Sequence, residues 1–474
     1  MAKRYLAAVQ AAVCLTFLCS TAPSQIPRGH VVMSSFSLSG GPNDGLSTCR
    51  SFGPTVITPI APLPVGITGS GLSTPAGAGS VLVDPNSGDI VVGEHAQAGS
   101  SLDVHMVALS GTTVTGVVSY PLGTVAAGSV GSTDQMAWLG SDILVLNRRA
   151  ALVAGPLAGH SLGIVRPSVG PPGTPGSVVA LPLTILLAGT VNAMALDAAG
   201  MAAYVATFVF SGGTATSTIH RIPVLPPHTP QVVATVPDAV LSLAFDADGL
   251  LMAGTGFSAA GGNFLHAVNV ATGAIVASLG ATWPTTPFTL RHANGLACDH
   301  STGDLLFVED LLRVVFRVKR LGFAAYGLPQ QIATRLVDTP SGIAIRPAVT
   351  TYGQGTPGAF SYAWQTTLLP GGPAALGNST FQLAMTPTAS TALTVLAVSA
   401  GSPTPAPSPT PLGVTLLLDP ATAFAPLVFA QPPVAIPLGL PAAAALAGQH
   451  FFFQTVHLEP AGFAASDGLW LTPF

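Results

Sequence analysis

NGLACDHSTGDLLFVED (294–310) reads as a polar residue before Gly, an alternating apolar stretch, an Asp, a tight turn and a second apolar stretch. The phrase recurs as GSVLVDPNSGDIVVGEH (79–95), DQMAWLGSDILVLN (134–147), NAMALDAAGMAAYVAT (192–207), LSLAFDADGLLMAGT (241–255) and finally SGIAIRP (341–347). The first residues of the six copies, Gly79, Asp134, Asn192, Leu241, Asn294 and Ser341, are 55, 58, 49, 53 and 47 apart. A period near fifty built only of short strands signals propeller blades rather than a helical solenoid. Within each copy, DPNSG, DAAG, DADG and DHSTG are turns in which Asp accepts backbone hydrogen bonds and Gly takes a positive φ. A second hairpin follows, clearest in NFLHAVNVATGAIVASLG (263–280), so each unit holds four strands.

Composition agrees with an all-β chain. Of 474 residues 7% are charged, too few to clothe the wet faces of long helices, while 53 Gly and 43 Pro punctuate short runs of Val, Leu and Thr. The sixth copy stops after one strand. A closed ring must hide its free edges, so the missing strands are expected from roughly His30–Pro62, which contains HVVMSSFSL and TVITPI. Six blades over 28–347 follow, with seven as the alternative because 120–190 is long and poorly patterned. Residues 348–474, with TFQLAMTP, TALTVLAV, LGVTLLLDP, HFFFQTVHLEP and DGLWLTPF, are expected to form a β-sandwich without clustered His, Cys or carboxylates. SPTPAPSPTP (402–411) reads as a polyproline-like loop within it.

The start, MAKRYLAAVQAAVCLTFLCSTAPSQ, has a charged n-region at Lys3 and Arg4 and an apolar core from Tyr5 to Leu18. This reads as a signal peptide over 1–24, with a retained N-terminal anchor as the alternative, and the expected location is secreted, periplasmic or cell-surface associated. Two of the 15 Lys and Arg leave with it, so 13 face 19 Asp and Glu. That acidity, with base scattered except in LLRVVFRVKR (311–320), argues against nucleic acid. Arg313, Arg317 and Lys319 share one strand face there, read as solvated. No later apolar run is long enough to span a bilayer. Cys49 and Cys298 remain after cleavage, and Cys298 occupies an apolar strand position that reads as a buried free thiol.

Most catalytic motifs have duller explanations. GHSLG (159–163) matches G-x-S-x-G, but the following IVRPSVGPPGTPG cannot supply the helix a nucleophile elbow needs, so it reads as an outer hairpin turn. GTGFSAAGG (254–262) lacks the helix and acid of a dinucleotide loop, and DADG lacks the later ligands of a calcium loop. The repeat offers a better candidate. Its first position should sit where each inner strand enters the central channel, and Asp134, Asn192, Asn294 and Ser341 carry side-chain oxygens there. They would suit a polar ligand, and Asp134, Asn192 and Asn294 a hard divalent cation such as calcium. The competing reading is that these are good strand-entry residues satisfied by channel water. A second set, His95, Asn147, Thr207 and Asp310, closes the second strands.

ANGLACDHSTGDLLFVED and TPSGIAIRP resemble blades of the six-bladed NHL and SMP-30/gluconolactonase-like propellers. The latter resemblance implies a metal-dependent lactonase whose ligands, a Glu, an Asn and an Asp, occupy the strand-entry position of different blades. Asn294 matches the Asn, whereas Gly79 stands where the Glu belongs and Ser341 where the Asp belongs. The tail from Tyr352 resembles a C-terminal domain found on exported bacterial proteins. Two functions therefore stand at this stage. One is an exported, non-enzymatic propeller binding a small-molecule, glycan or protein ligand, its last domain serving attachment or spacing. The other is a metal-dependent lactonase.

Overall fold

The computed structural model describes residues 26–473 except 38–44, 52–56, 62–75, 86, 148–151, 168–175, 186, 257–263, 282, 284–289, 335–338, 355, 357–361, 387–392, 401–402, 410–413, 419–422, 430–434 and 460–461. The expected signal peptide, 1–24, and most of the 254–262 Gly-rich stretch lie outside the described residues. Two compact units are present, His30–Arg346 and a second one from Pro347 onward, the latter also taking in the described residues Ile26, Pro27, Arg28 and Gly29.

The larger unit begins with β1 (His30–Ser37), β2 (Gly45–Arg50) and β3 (Thr58–Ile60). Five four-stranded blades follow. The first is β4 (Ala76–Val83), β5 (Ile90–Ala96), β6 (Ser101–Ser110) and β7 (Thr113–Val125). The second contains β8 (Gly131–Leu139), β9 (Asp142–Asn147), β11 (Leu162–Arg166) and β12 (Ser177–Ala180), while the short β10 (Leu152–Ala154) pairs back onto β7. The third is β13 (Thr190–Leu196), β14 (Ala202–Ser211), β15 (Thr214–Pro223) and β16 (Gln231–Val236). The fourth is β17 (Ala239–Phe245), β18 (Leu251–Gly256), β19 (Leu265–Asn269) and β20 (Ala274–Leu279). The fifth is β21 (Gly295–Asp299), β22 (Asp304–Glu309), β23 (Val314–Gly322) and β24 (Ala325–Thr334).

The sixth blade is assembled from both ends of the unit. Strand β25 (Thr339–Ile345) pairs antiparallel with β1, from Val31 opposite Ile345 to Phe36 opposite Thr339, and β1 carries β2 and β3 outward. This is the closure that the truncated sixth repeat required. The protein is a six-bladed β-propeller.

The turns obey the repeat chemistry. Asp246 Oδ1 accepts from the N–H groups of Asp248 and Leu250, both at 2.8 Å, and Gly249 sits at φ +79°. Asp197 accepts from Met201 N–H at 2.7 Å and Asp299 from Ser301 N–H at 3.2 Å. Between blades the apolar side chains merge into junction cores. Phe264, Phe307 and Phe316 join blades 4 and 5, with Trp283 stacked on Phe307 at 6.5 Å. Cys298 belongs to that cluster and Cys49 to the one between blades 5 and 6, and both are free buried thiols.

Because both faces of a blade pack on neighbours, a period-two charge pattern does not mark a wet face. Arg317 is only 3% exposed. It binds Asp304 at 2.7 Å, Asp299 at 3.1 Å and the Ser51 carbonyl at 2.6 Å, pinning the end of β2 to blade 5. Arg313 lies in a turn at φ +58°. The solvated-face reading therefore fails for Arg317. GHSLG is a turn, but between β9 and β11, the second and third strands of its blade, and not an outer hairpin.

The second unit contains β26 (Val349–Tyr352), β27 (Ala363–Gln365), β28 (Gln382–Thr386), β29 (Leu393–Ala400), β30 (Pro403–Pro409), β31 (Thr415–Leu418), β32 (Ala423–Phe429), β33 (Ala435–Pro437), β34 (Phe451–Glu459), β35 (Gly462–Ala465) and β36 (Gly468–Leu471). One sheet runs β26-β36-β34-β29-β32, a smaller one β27-β28-β33, and their inner faces share a core. Trp364, Leu383 and Ile436 of the small sheet pack with Leu396, Phe453 and Leu469 of the large one, which is sandwich packing. The Pro-rich segment is strand β30 paired with β31 rather than a loop, an arrangement an edge strand tolerates. Arg28 belongs to this unit. Its guanidinium lies 3.8 Å from the Trp470 ring centre and donates to Thr350 Oγ1 and the Pro347 carbonyl. The unit also buries a cluster unforeseen from sequence, in which His457 stacks on Tyr362 at 3.4 Å and Tyr362 donates to Glu459 at 2.8 Å.

Candidate functional site

The first residue of each repeat proves to be a β-bulge. The register of the inner strand against its partner slips between Ala78 and Ser80, Thr133 and Gln135, Val191 and Ala193, and Val240 and Ser242. In blade 6 it slips so that Ser341 is skipped. In blade 5 the Asn294 N–H and Gly295 both face Val308. A bulge interrupts the ladder and re-aims a side chain. Here it leaves the carbonyl just before the bulge in need of a donor, and the preceding blade supplies one.

The links run round the ring. Ser80 Oγ donates to the Thr133 carbonyl at 2.8 Å, joining blade 1 to blade 2. Asn192 Nδ2 donates to Val240 O at 3.3 Å, Ser242 Oγ to Ala293 O at 2.6 Å, and Asn294 Nδ2 to Pro340 O at 3.1 Å. Ser341 Oγ donates to Ala78 O at 2.8 Å and closes the circle. Where the bulge residue is Gly79 or Leu241, the serine after it takes over. At the junction of blades 2 and 3 the polarity reverses, for the Gln135 side-chain oxygen accepts the Met194 N–H.

The four predicted residues are thus brought to one repeat position, but their hydrogen-bonding groups have different duties. Asn192, Asn294 and Ser341 each direct a donor at the next blade. Asp134 cannot donate. Its carboxylate accepts from Ser132 Oγ at 2.6 Å and, with Ser80, Gln135 and Ser341, forms part of the wall of the central cavity. That cavity, about 310 Å³, is bounded by all six inner strands, and Val83, Trp138, Cys298 and Ile345 lie further along its wall.

The second-strand set needs correction by one residue in two blades. Pairing places Val92, Val205 and Phe307 in equivalent positions, each opposite the second residue after its bulge. Two residues on come Glu94, Thr207 and Glu309, all buried, so Glu94 and Glu309, not His95 and Asp310, are the partners of Thr207 and Asn147. Their work is to hold connections. Asn147 Nδ2 donates to His160 O at 2.7 Å, and Glu309 accepts from the N–H groups of Arg291, His292 and Leu312. Burial pushes the Glu309 carboxyl above the ordinary range against these bonds. His292 pairs with Asp310 at 2.9 Å, which raises the imidazole's pKa. His95 packs against Phe36 with the rings tilted and their centres 4.3 Å apart.

Fold and bulge ring together define the class, a six-bladed propeller whose inner strands are tied at one end by a girdle of side-chain links. No family model matches the chain, and no curated protein matches it by sequence. Solved structures similar to it include a putative 6-phosphogluconolactonase from Bacteroides fragilis, at 13% identity and a TM-score of 0.39, covering 66% of this chain and 97% of that one. A streptogramin B lyase structure aligns at 15% identity and a TM-score of 0.38, covering 69% and 89%. AztD from Citrobacter koseri aligns at 13% identity and 0.33, covering 66% and 88%. Among the described residues no helix is long and apolar enough to cross a membrane.

Proposed function

We propose that the protein is an exported, non-enzymatic binding propeller that takes a small polar ligand or a glycan at the bulge end of its channel, with the C-terminal sandwich as attachment or spacer. The observation that carries this reading is the girdle. Asn192, Asn294 and Ser341 each give a side-chain hydrogen to a backbone carbonyl of the next blade, so those hydrogens serve the ring and not a polar ligand. Asp134 then supplies the charged contact on the cavity wall. The charged start and apolar core of residues 1–24 support export.

A metal-dependent lactonase of the SMP-30/gluconolactonase-like kind is the second reading, favoured by that same carboxylate at the level where the family's ligands sit. The two readings separate in one experiment. Wild type and Asp134→Asn are titrated by calorimetry with calcium, magnesium and manganese and with a panel of sugars and sugar lactones, and lactone hydrolysis is followed alongside. The binding reading expects heat with a sugar that weakens in Asp134→Asn and no metal-dependent turnover. Turnover that requires a divalent ion and Asp134 would overturn it in favour of the lactonase, and silence with every ligand would remove the channel as a site.

A further inference from the structure

Away from the channel, Glu94 on β5 and Asp103 and His105 on β6 converge inside blade 1. Asp103 and His105 are two residues apart on one strand and so share a face. Glu94 is 4% and His105 5% exposed, and Asp103 is partly exposed at the solvent side. The three ligand-bearing atoms all lie within 4.8 Å of one another. His105 Nε2 meets Glu94 Oε1 at 2.7 Å, and the other Glu94 oxygen accepts the Asp103 N–H at 3.0 Å. Two carboxylates beside one imidazole in a buried setting make a site with excess negative charge. Burial and the neighbouring Asp103 push the Glu94 carboxyl up, and the bond to His105 opposes them.

The repeat provides an internal control. On the third strand of blade 4, His266 occupies the position of His105, and its Nδ1 meets Ser278 Oγ at 2.9 Å just as His105 Nδ1 meets Ser119 Oγ at 2.8 Å. His220 holds that position in blade 3, where the residue equivalent to Glu94 is Thr207. In blade 4 the positions of Glu94 and Asp103 are held by Thr255 and Phe264. The histidine is therefore a recurring strand feature, whereas the two carboxylates converge on it only in blade 1. In blade 3 the ring meets Thr207 Oγ1 at 3.4 Å, and in blade 4 a single carboxylate, Asp238, stands 3.6 Å from His266 Nε2, so neither blade assembles the pair of carboxylates found in blade 1.

From this geometry we infer that Glu94, Asp103 and His105 form a binding site for a divalent transition-metal ion, zinc above all, distinct from the channel. One imidazole and two carboxylates suit zinc, and three protein ligands leave a fourth position for water on the Asp103 side. Tetrahedral coordination at ordinary zinc distances separates donor atoms by about 3.3 Å. The His105–Glu94 pair must open slightly, and Asp103, the partly exposed member, must turn inward. The ion replaces the proton held between Nε2 and Oε1, which passes to the buffer. His105 then carries its proton on Nδ1 and donates it to Ser119 Oγ, so Ser119 fixes the metal-binding tautomer.

The test is zinc titration of the intact secreted chain by calorimetry in buffers of different ionisation heat, with cobalt absorption reporting the coordination. One equivalent should bind with proton release. Glu94→Gln and Asp103→Asn should abolish it, Ser119→Ala should weaken it about 10- to 100-fold, and Asp134→Asn should leave it unchanged. Asp103→Asn, at the partly exposed position, carries the test if the buried substitution disturbs the fold, with circular dichroism as the check. No uptake by folded wild type overturns the inference. So does uptake that survives Asp103→Asn yet is lost in Asp134→Asn, which would put the ion in the channel.

Discussion

Asn294 gives an amide hydrogen to the Pro340 carbonyl of the adjacent blade, which fixes the side chain in the ring. A side chain used in this way is worth what its buried bond is worth. Asn294→Ala leaves that carbonyl without a donor and should lower unfolding free energy by about 1–3 kcal/mol in urea titration. A loss of ligand binding with unchanged stability would contradict the link. The same logic governs Ser341. Placing the acid that lactonases carry there, Ser341→Asp, would set a carboxylate against the Ala78 carbonyl that Ser341 now serves at 2.8 Å. It should destabilise more than Ser341→Ala does, and metal uptake at the ring in a fully stable Ser341→Asp would refute the assignment. Asn192, Asn294 and Ser341 stand at the position legible from the repeat, whereas Ser80, Gln135 and Ser242, one residue further on, make the other three links. The duty of these side chains was not legible, because a bulge and the carbonyl it strands belong to the pairing of two strands, and the partner carbonyl sits about fifty residues away.

Strands show where sequence periodicity suffices and where it fails. Asp–Gly turns at fixed offsets made the blades readable, and the truncated sixth repeat made the closing strand readable. Closure has a measurable weight. Met33 on β1 is 1% exposed in the core shared by blades 5 and 6, so Met33→Ala should cost about 2–5 kcal/mol, whereas Val232→Ala on the outer strand β16, where Val232 is 68% exposed, should change stability by no more than about 0.5 kcal/mol. Equal effects in chemical denaturation would mean that β1 is not part of the ring's core. Register was less accessible. GEH and VED end one residue later than VLN and VAT, so matching strand ends selects His95 and Asp310, and only the opposing strand identifies Glu94 and Glu309 as the true equivalents. Arg317 misleads for a related reason: alternation separates two faces, but in a blade each face has a neighbouring blade against it.

At the scale of the molecule, each unit has a core of its own. Among the described residues, the cluster around Trp364, Leu383 and Phe453 draws on residues after Pro347, and the propeller's clusters on residues before it. Two thermal transitions are therefore expected, and His457 provides a label for one of them. Its ring is enclosed by Tyr362, Thr394 and Thr455, and burial lowers its pKa to about 4, with Glu459 pulling the other way. The unfolded chain regains an ordinary histidine, which takes up its proton near pH 6.5. Between about pH 6.5 and 4 the unfolded state holds more protons than the folded one, so stability rises with pH across that window. Acidification from pH 7 should lower the melting temperature of the C-terminal transition until about pH 4, below which the histidine adds no further loss. His457→Gln, expected to melt lower at pH 7 because the ring stack is lost, should fall less steeply over the same interval. Calorimetric scans at pH 7, 6, 5 and 4 on both proteins decide the matter. A single transition would deny the two cores their independence, and parallel slopes in the two proteins would show that His457 is not the acid-sensitive group.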